Sequence, residues 1–458
     1  MIISVADGVF QITLGNADLP VSIAQRLMGV VGMATMLGLA WLYSVRRREV
    51  NWRLVAMGVG LQVVVAVVVL KTAFGRAFFT AANAVFVRLL GFTEQGSRFL
   101  FGNLVKNNVP IGTPTGSPAD MAPLDGVTMW ANTGGYVAFT VLPIIIFFSA
   151  LTAVLYHLGV MQRLVQGIAW VMQRTMGTSG AETLSVAGNI FVGHTESPLL
   201  IRPFIGSLTM SELHTVMVGG LATIAGSVMA AYIGILSPYF PDIAGHLLTA
   251  SVINAPAAIV ISKILFPESE RPETSGSVRV NVEKTDVNVI EAAASGTATG
   301  LQLALNVGAM LLAFIALIAL LNYLVAAVGG LIGLPQLSLE YILGIVLAPL
   351  AWLMGVPWAD AGTVGSLVGV KVVFNEFIAY LQLAQVMESA AALSRRGALI
   401  ATYALLGFAN FASIAIAIAG IGGLAPERKS DLARLGIRAM IGGNLAAFMS
   451  ASLVGMLL

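Results

Sequence analysis

The feature that most limits what this chain can fold into is a series of apolar runs, each long enough to cross a bilayer, recurring almost to the C-terminus. A helix needs about 20 mostly apolar residues to span the hydrocarbon core. Such runs lie at roughly 27–45, 53–73, 136–157, 213–236, 248–266, 300–326, 397–421 and 435–457. Of the 458 residues 57% are hydrophobic and 10% charged, against about 25% charged in a soluble domain. A large soluble core does not explain such a deficit, so the chain reads as a polytopic membrane protein. A net charge of +2 and the lack of cysteine argue against a nucleic-acid binder and a secreted disulfide scaffold. Residues 1–26 lack the basic start and small-residue cleavage site of a signal peptide, so the first span is expected to do its own targeting.

Lysines and arginines of short loops set orientation. Arg46, Arg47, Arg48 and Arg53 follow the first span, which puts that loop in the cytoplasm and the N-terminus outside. Counting onward, 158–176, 267–297 and 425–434 fall inside with their basic residues, whereas 237–247 and 327–339 fall outside and contain none. The scheme holds only if two further apolar segments, 178–207 and 340–382, do not cross. Each is broken by glycine and proline and carries a carboxylate in its middle. They read as re-entrant hairpins, one entering from inside and one from outside. Irregular backbone at membrane depth is tolerated only where protein or a water-filled cavity covers it, so such hairpins point to a site.

Three other stretches are less constrained. Residues 161–176 space their apolar side chains helically with Gln and Arg between, as in a helix lying in the interface. The 99–135 region, rich in Asn, Pro, Gly and Thr, reads as an external loop after an amphipathic helix. Residues 267–297, the most polar run, read as a flexible cytoplasmic linker.

A weak internal repeat links the hairpins. Gly193-His194-Thr195-Glu196 precedes a span containing Gly220-Leu221-Ala222-Thr223, and Phe374-Asn375-Glu376-Phe377 precedes one containing Gly407-Phe408-Ala409-Asn410. Each unit adds one more span. Because the hairpins enter from opposite faces, the repeat is inverted, and broken segments meeting near the midplane are the architecture of secondary transporters.

Carboxylates at the bilayer centre cost several kcal/mol, so Glu196 and Glu376 need a reason. Internal pairing, with Arg202 and Lys371, is one. Hydrogen bonding to a polar solute is the other, and matching positions on two hairpins favour it. Asn189, Thr223 and Asn410 are short polar groups beside Gly or Pro, where unwound carbonyls suit a hard monovalent cation; singly, each also fits an interhelical hydrogen bond. Ser413 fits back-bonding to its own helix, and Phe408 fits stacking on a planar ring or ordinary packing. No metal-ligand spacing, Walker-type phosphate loop or nucleophile–base constellation is present. The residues describe an ion-coupled carrier of a small polar solute, not an enzyme, and they call for no cofactor.

Several motifs resemble those of concentrative nucleoside transporters of the bacterial type: N-I-F-V-G-H-T-E-S-P-L-L-I-R-P (189–203), V-F-N-E-F-I-A-Y (373–380), G-F-A-N-F-A-S-I-A-I (407–416) and the run 422–439. The resemblance covers most of the chain from about residue 136. It implies a homotrimer in the bacterial inner membrane, with a scaffold domain holding a transport domain that moves like an elevator. It implies nucleoside symport, usually with sodium and in some members with protons. Carried over by motif, His194, Thr195, Glu196, Val228 and Phe408 would face the nucleobase, and Glu376, Asn410 and Ser413 the ribose hydroxyls. Sodium would be held by the side chains of Asn189 and Thr223 with the carbonyls of Val192 and Ile224. The chain departs from the family at His194, where glutamine is usual. Thr223 stands where some members have serine, and a small residue such as Gly193 goes with tolerance of purines.

The expected fold is an all-α polytopic membrane protein of about eight transmembrane helices plus two oppositely oriented re-entrant hairpins, an inverted-repeat elevator-type transporter. The expected grouping is 1–135 and 136–177 as scaffold, 178–266 as the first transport repeat, 267–339 as linker and scaffold span, and 340–458 as the second repeat. The leading functional reading is sodium-coupled nucleoside import, with nucleoside, sodium and membrane lipid as partners and no nucleic acid. Proton coupling through Glu196 or His194, a carrier of another polar solute, an uncoupled channel and a membrane-embedded enzyme are the alternatives.

Overall fold

The computed structural model describes residues 23–106, 137–275, 286–331, 333, 334, 336–389 and 393–458, with the backbone of short strand segments within 2–13 and 108–132. The helices are α1 (Ile23–Leu42), α2 (Trp52–Lys71), α3 (Ala73–Phe101), α4 (Val137–Thr140), α5 (Leu142–His157), α6 (Val160–Met176) and α7 (Gly180–Gly188). After a 3-10 segment (Ser197–Ser207) come α8 (Met210–Ala222), α9 (Gly226–Leu236), α10 (Ile243–Leu265), α11 (Val289–Leu331), α12 (Leu339–Leu353) and α13 (Trp358–Val373). The chain closes with α14 (Glu376–Glu388), α15 (Arg395–Leu405), α16 (Phe411–Leu424) and α17 (Lys429–Leu457).

Eight helical stretches among the described residues are long and apolar enough to cross a membrane, matching the expected number but not its membership. Ala73–Val105 also meets this test of length and composition, where an amphipathic helix was expected before the 99–135 loop. The expected span 397–421 is a broken helix, α15 and α16 separated by extended chain, as α8 and α9 are within the expected span 213–236. The expected span 300–326 is the middle of α11, whose 43 residues at about 1.5 Å each reach well beyond a ~30 Å core. Of the 99–135 loop, the described parts are the end of α3, a single 3-10 turn and two antiparallel strand pairs, Asn108–Pro110 with Trp130–Asn132 and Gly112–Pro114 with Met121–Pro123.

The second hairpin is displaced from its expected bounds of 340–382. α12 turns through 116° into α13 and packs along it, and the break bearing the carboxylate falls after α13, at Phe374–Asn375. The element comparable to the first hairpin is therefore α13–α14. α12 takes the place that the interfacial helix α6 holds before α7. On α6 the buried residues Met161, Val165, Ala169, Met172 and Met176 form one helical face, the pattern of an amphipathic surface helix.

With α12 assigned, element order repeats over the whole second part of the chain. The sequence span, short helix, hairpin, broken helix, long helix describes both α5–α10 and α11–α17. The first unit contains three crossings (α5, the broken pair α8–α9, and α10). An odd number delivers the second unit to the opposite face, so the repeat is inverted in topology.

Burial separates an inner set from an outer one. In Met210–Leu236 94% of the apolar window is buried, in Ile243–Leu265 89% and in Pro426–Leu457 83%, whereas in Val289–Leu331 the figure is 11%. Helices apolar all round and enclosed are core, and those apolar yet exposed face lipid or another subunit. α11 packs chiefly on α5, where Gly296 and Gly300 lie against the backbone of Ser149, Ala150 and Ile146, the small-residue contact of membrane helix pairs. α1 lies along α17 and α2 along α10.

The first part of the expected flexible linker is docked. Gly180 N–H donates to the Thr274 carbonyl at 2.9 Å and Ala181 N–H to Thr274 Oγ1 at 3.2 Å. Lys263, 5% exposed, pairs with Glu182 at 2.8 Å and with Glu268 at 3.2 Å. Glu182 also closes the capping box on Ser179, and Glu212 closes one on Thr209. A buried lysine thus joins the base of the first hairpin to the loop after α10, and its desolvation is offset by paired carboxylates. Residues 276–285 of the linker lie outside the described residues.

Candidate functional site

The site forms where hairpin tips meet broken helices. α8 stops at Ala222 and Thr223 is extended (φ −119, ψ 175), so the last carbonyls of α8 lose their intrahelical donors. Asn254 of α10 supplies one, donating from Nδ2 to the Ala222 carbonyl at 2.8 Å. The second unit repeats the device: Asn444 of α17 donates to the Ala409 carbonyl at 2.8 Å within the break between α15 and α16. Neither asparagine was singled out as a candidate. Their signal is the echo of Asn254-Ala255-Pro256-Ala257 in Asn444-Leu445-Ala446-Ala447, at the same place in each unit's last helix.

The tip of the first hairpin rests on the first break. Gly226 N–H donates to the Phe191 carbonyl at 2.8 Å. Gly220, on the last turn of α8, allows the closest approach: a Cβ there would lie 2.6 Å from the His194 Cβ, and the Asn189 amide nitrogen is 3.8 Å from the same point. This brings Asn189 and His194 against the end of α8, beside Thr223. The Thr223 hydroxyl donates to the Gly219 carbonyl at 2.8 Å, which leaves its lone pairs free to accept or to coordinate. Val192 and Ile224 are buried in the same tip and break.

Two of the expected residues lack partners in a way that carries information. Asn189 is 1% exposed, yet neither atom of its amide makes a hydrogen bond, and both ring nitrogens of His194 are buried and unpartnered as well. Leaving such groups unsatisfied costs roughly 1–3 kcal/mol each. Unsatisfied polar atoms concentrated at one meeting point are the mark of a site completed by something that binds there.

The opposite wall is satisfied and rigid. Glu376, at the first position of α14, accepts from the Tyr232 hydroxyl at 2.9 Å and from Asn410 Nδ2 at 3.0 Å. Asn410 caps α16, its Oδ1 accepting from the Ser413 backbone N–H at 2.9 Å. Tyr232 stacks on Tyr380 (ring centroids 4.3 Å apart) and meets Phe377 edge-on. Two of the four lone-pair directions of the carboxylate are taken, and two remain for a ligand's hydroxyls. Tyr232 was not anticipated, because an aromatic in an apolar helix gives no sign of the carboxylate it meets.

The two walls face each other through His194 and Phe408, whose ring centroids are 5.0 Å apart at 57°. Thr195 packs against Gly420 of α16. Glu196 is exposed, and one of its carboxylate oxygens accepts from the Gly193 N–H at 2.8 Å. Among the described residues neither Glu196 with Arg202 nor Glu376 with Lys371 forms an ion pair. Val228 and Ser413 are buried on the first turns of α9 and α16.

An inverted repeat of apolar helices, with hairpins and broken helices converging on polar groups, defines a membrane transporter. The chain matches "Na+ dependent nucleoside transporter C-terminus" over residues 246–455, the corresponding N-terminus over 31–104, and "Nucleoside recognition" over 138–239. It is 42% identical to an uncharacterized transporter of Haemophilus influenzae (94% of this chain, 97% of that one) and 40% identical to the nucleoside permease NupC of Helicobacter pylori (94% and 97%). Identity to sodium/nucleoside cotransporter 1 of Mus musculus is 39%, over 94% of this chain and 64% of that protein. The structure of CNTnw in an inward-facing substrate-bound state is similar with a TM-score of 0.84 at 42% identity (94% and 97% covered), and an outward-facing CNTnw variant with 0.85 (95% and 98%). The chain belongs to the Na+ dependent nucleoside transporter family. It is a multi-pass membrane protein that transports nucleosides, a transporter and not an enzyme.

Proposed function

We propose that this protein imports nucleosides by symport with sodium, using an elevator movement, in a bacterial inner membrane with its N-terminus outside. The observation that carries the reading is the pair of unsatisfied groups where the first hairpin meets α8. Asn189 offers a buried, unpartnered amide oxygen, and with the Thr223 hydroxyl and the Val192 and Ile224 carbonyls it would make an all-oxygen set suited to a hard cation. His194, Thr195, Glu196, Val228 and Phe408 would hold the base, and Glu376, Asn410 and Ser413 the ribose. Since Asn189 and His194 both abut Gly220, an ion at the first would fix the tip that presents the second, which is a physical route to coupling.

Residues 1–177, with the span α11, would form the fixed scaffold, and 178–266 with 340–458 the carriage. The exposed apolar face of α11 would meet lipid and the other subunits of a homotrimer. Uptake of labelled uridine into proteoliposomes tests the reading. Accumulation above equilibrium only under an inward sodium gradient is expected, and accumulation that follows a proton gradient at any sodium concentration would overturn it in favour of Glu196 or His194 as proton carrier.

A second measurement addresses the ion site alone. Thr223→Ala removes one hydroxyl ligand and leaves the break unchanged. It should raise the sodium concentration for half-maximal uptake about tenfold, equivalent to ~1.4 kcal/mol. An unaltered sodium dependence would take Thr223 out of the site.

A further inference from the structure

The two carboxylates of the site are held in opposite ways. Each oxygen of Glu376 has its own donor: Oε1 accepts from the Tyr232 hydroxyl at 2.9 Å and Oε2 from Asn410 Nδ2 at 3.0 Å. Glu196 is exposed and accepts at one oxygen from the Gly193 N–H of its own tip; among the described residues no side chain donates to it. The repeat shows where the difference arises. α9 of the first unit packs on α14, and α16 of the second unit meets the first hairpin, where Gly420 lies against Thr195. In the register that pairs Gly220–Thr223 with Gly407–Asn410, Tyr232 corresponds to Ala419. A methyl group carries no donor, so the second unit has no hydroxyl to give Glu196.

Tyr232 itself has little freedom. It is completely buried and stacks at 4.3 Å on Tyr380, which is equally buried and donates its hydroxyl to the Thr402 carbonyl at 2.7 Å. Phe377 meets the Tyr232 ring edge-on at 5.4 Å. A phenol packed in this way delivers its O–H in one direction. The carboxylate plane is thereby pinned at both oxygens, with one lone-pair direction left on each. Two adjacent hydroxyls need one oxygen each in a fixed plane, whereas a single hydroxyl needs only one oxygen.

We infer that Tyr232 is a positioning residue for substrate selection: by holding Oε1 of Glu376 it makes the site read both ribose hydroxyls together and so favour ribonucleosides over deoxyribonucleosides. The inference rests on the reading of Glu376 as the ribose acceptor. Glu196, with no such support, can turn to meet bases of different outline. Without the Tyr232 hydroxyl, Glu376 keeps Asn410 alone and turns about that contact, and binding a diol must then freeze it again at a cost in affinity.

The test is the concentration dependence of uptake of labelled uridine, 2′-deoxyuridine and 3′-deoxyuridine into proteoliposomes at saturating sodium. The wild-type half-saturating concentration should be at least about tenfold lower for uridine than for either deoxy analogue, equivalent to ~1.4 kcal/mol. Tyr232→Phe removes the hydroxyl and keeps the stack on Tyr380. It should raise the uridine value about tenfold and the deoxy values no more than about twofold, with the maximal uridine rate unchanged, so that the preference collapses. A role in packing alone would move all three substrates together, and that result, or a preference left at the wild-type level, would overturn the inference. Should Tyr232→Phe not fold, Tyr380→Phe, which frees the ring that Tyr232 stacks on, should reduce the preference about threefold; an unchanged preference there would overturn it too. Equal handling of uridine and both deoxy analogues by the wild-type protein overturns it without any variant. Wild-type uptake by Glu376→Gln is a separate outcome, which would remove the ribose reading itself.

Discussion

Glu376→Gln is expected to lower nucleoside uptake by about a hundredfold or more, corresponding to ~2.7 kcal/mol or above, while the protein still inserts and folds. Folding survives because the amide can keep both protein contacts. Its oxygen can accept from Asn410 Nδ2, now at 3.0 Å from the carboxylate, and its nitrogen can donate to the Tyr232 hydroxyl, now at 2.9 Å. Binding does not survive, because the carboxylate has two acceptor directions left for adjacent hydroxyls and the amide has one, with a donor where the other stood. Charged acceptors contribute roughly 1.5–3 kcal/mol per hydrogen bond, so losing both charge and one acceptor reaches the stated magnitude. Uptake of labelled uridine, beside the thermal melting of the purified variant in detergent, checks this. A folded variant with wild-type uptake would remove Glu376 from the ribose site.

How far the sequence foretold this arrangement depended on what kind of signal each part left. Length and apolarity marked α1, α2, α5, α10 and α17, because a bilayer imposes its thickness on composition. The same measure could not see the break at Leu406–Asn410, since apolar residues unwound within the protein read like apolar residues in a helix. α3 left a weaker signal, because Arg76, Arg88, Glu94 and Arg98 dilute its apolar stretch. The second hairpin begins later than expected although Gly355 and Pro357 mark the turn between α12 and α13, because the carboxylate within a long apolar stretch is the stronger signal. Glu376 and Asn410 were legible because polar groups at membrane depth demand a purpose. Their partner Tyr232 was not, being 144 residues from Glu376 in the chain and brought to it by packing alone. Pairing of Lys371 with Glu376 was one of two readings, and its attachment instead to the carbonyls of Ala404 and Leu406 depends on where α15 ends, which propensity does not reveal.

The other large effect is expected where the two broken helices cross. Gly407→Ala should abolish uptake and lower the melting temperature in detergent by at least several degrees. Gly407 has φ +108, a region that side-chain-bearing residues rarely enter, and a Cβ there would lie 2.7 Å from the Leu221 carbonyl oxygen and 2.8 Å from that of Ala222. The backbone term alone costs about 1–3 kcal/mol. The steric term adds to it, because the opposing atoms are main-chain carbonyls that cannot rotate away as a side chain would. Those carbonyls end α8 immediately before Thr223, and Gly407 immediately precedes Phe408, so any retreat separates the ion-facing break from the ring opposite His194. Gly423→Ala is the matched control. It lies in α16 with nothing within 4 Å of the added Cβ, and alanine in a helix interior is favoured over glycine by roughly 0.5–1 kcal/mol, so stability should be unchanged or slightly higher. Equal behaviour of the two variants would mean that the breaks do not meet as described. Loss confined to Gly407→Ala would identify the crossing of the two unwound segments, through backbone contact alone, as the element that holds the ion-facing and nucleoside-facing halves of the site in register.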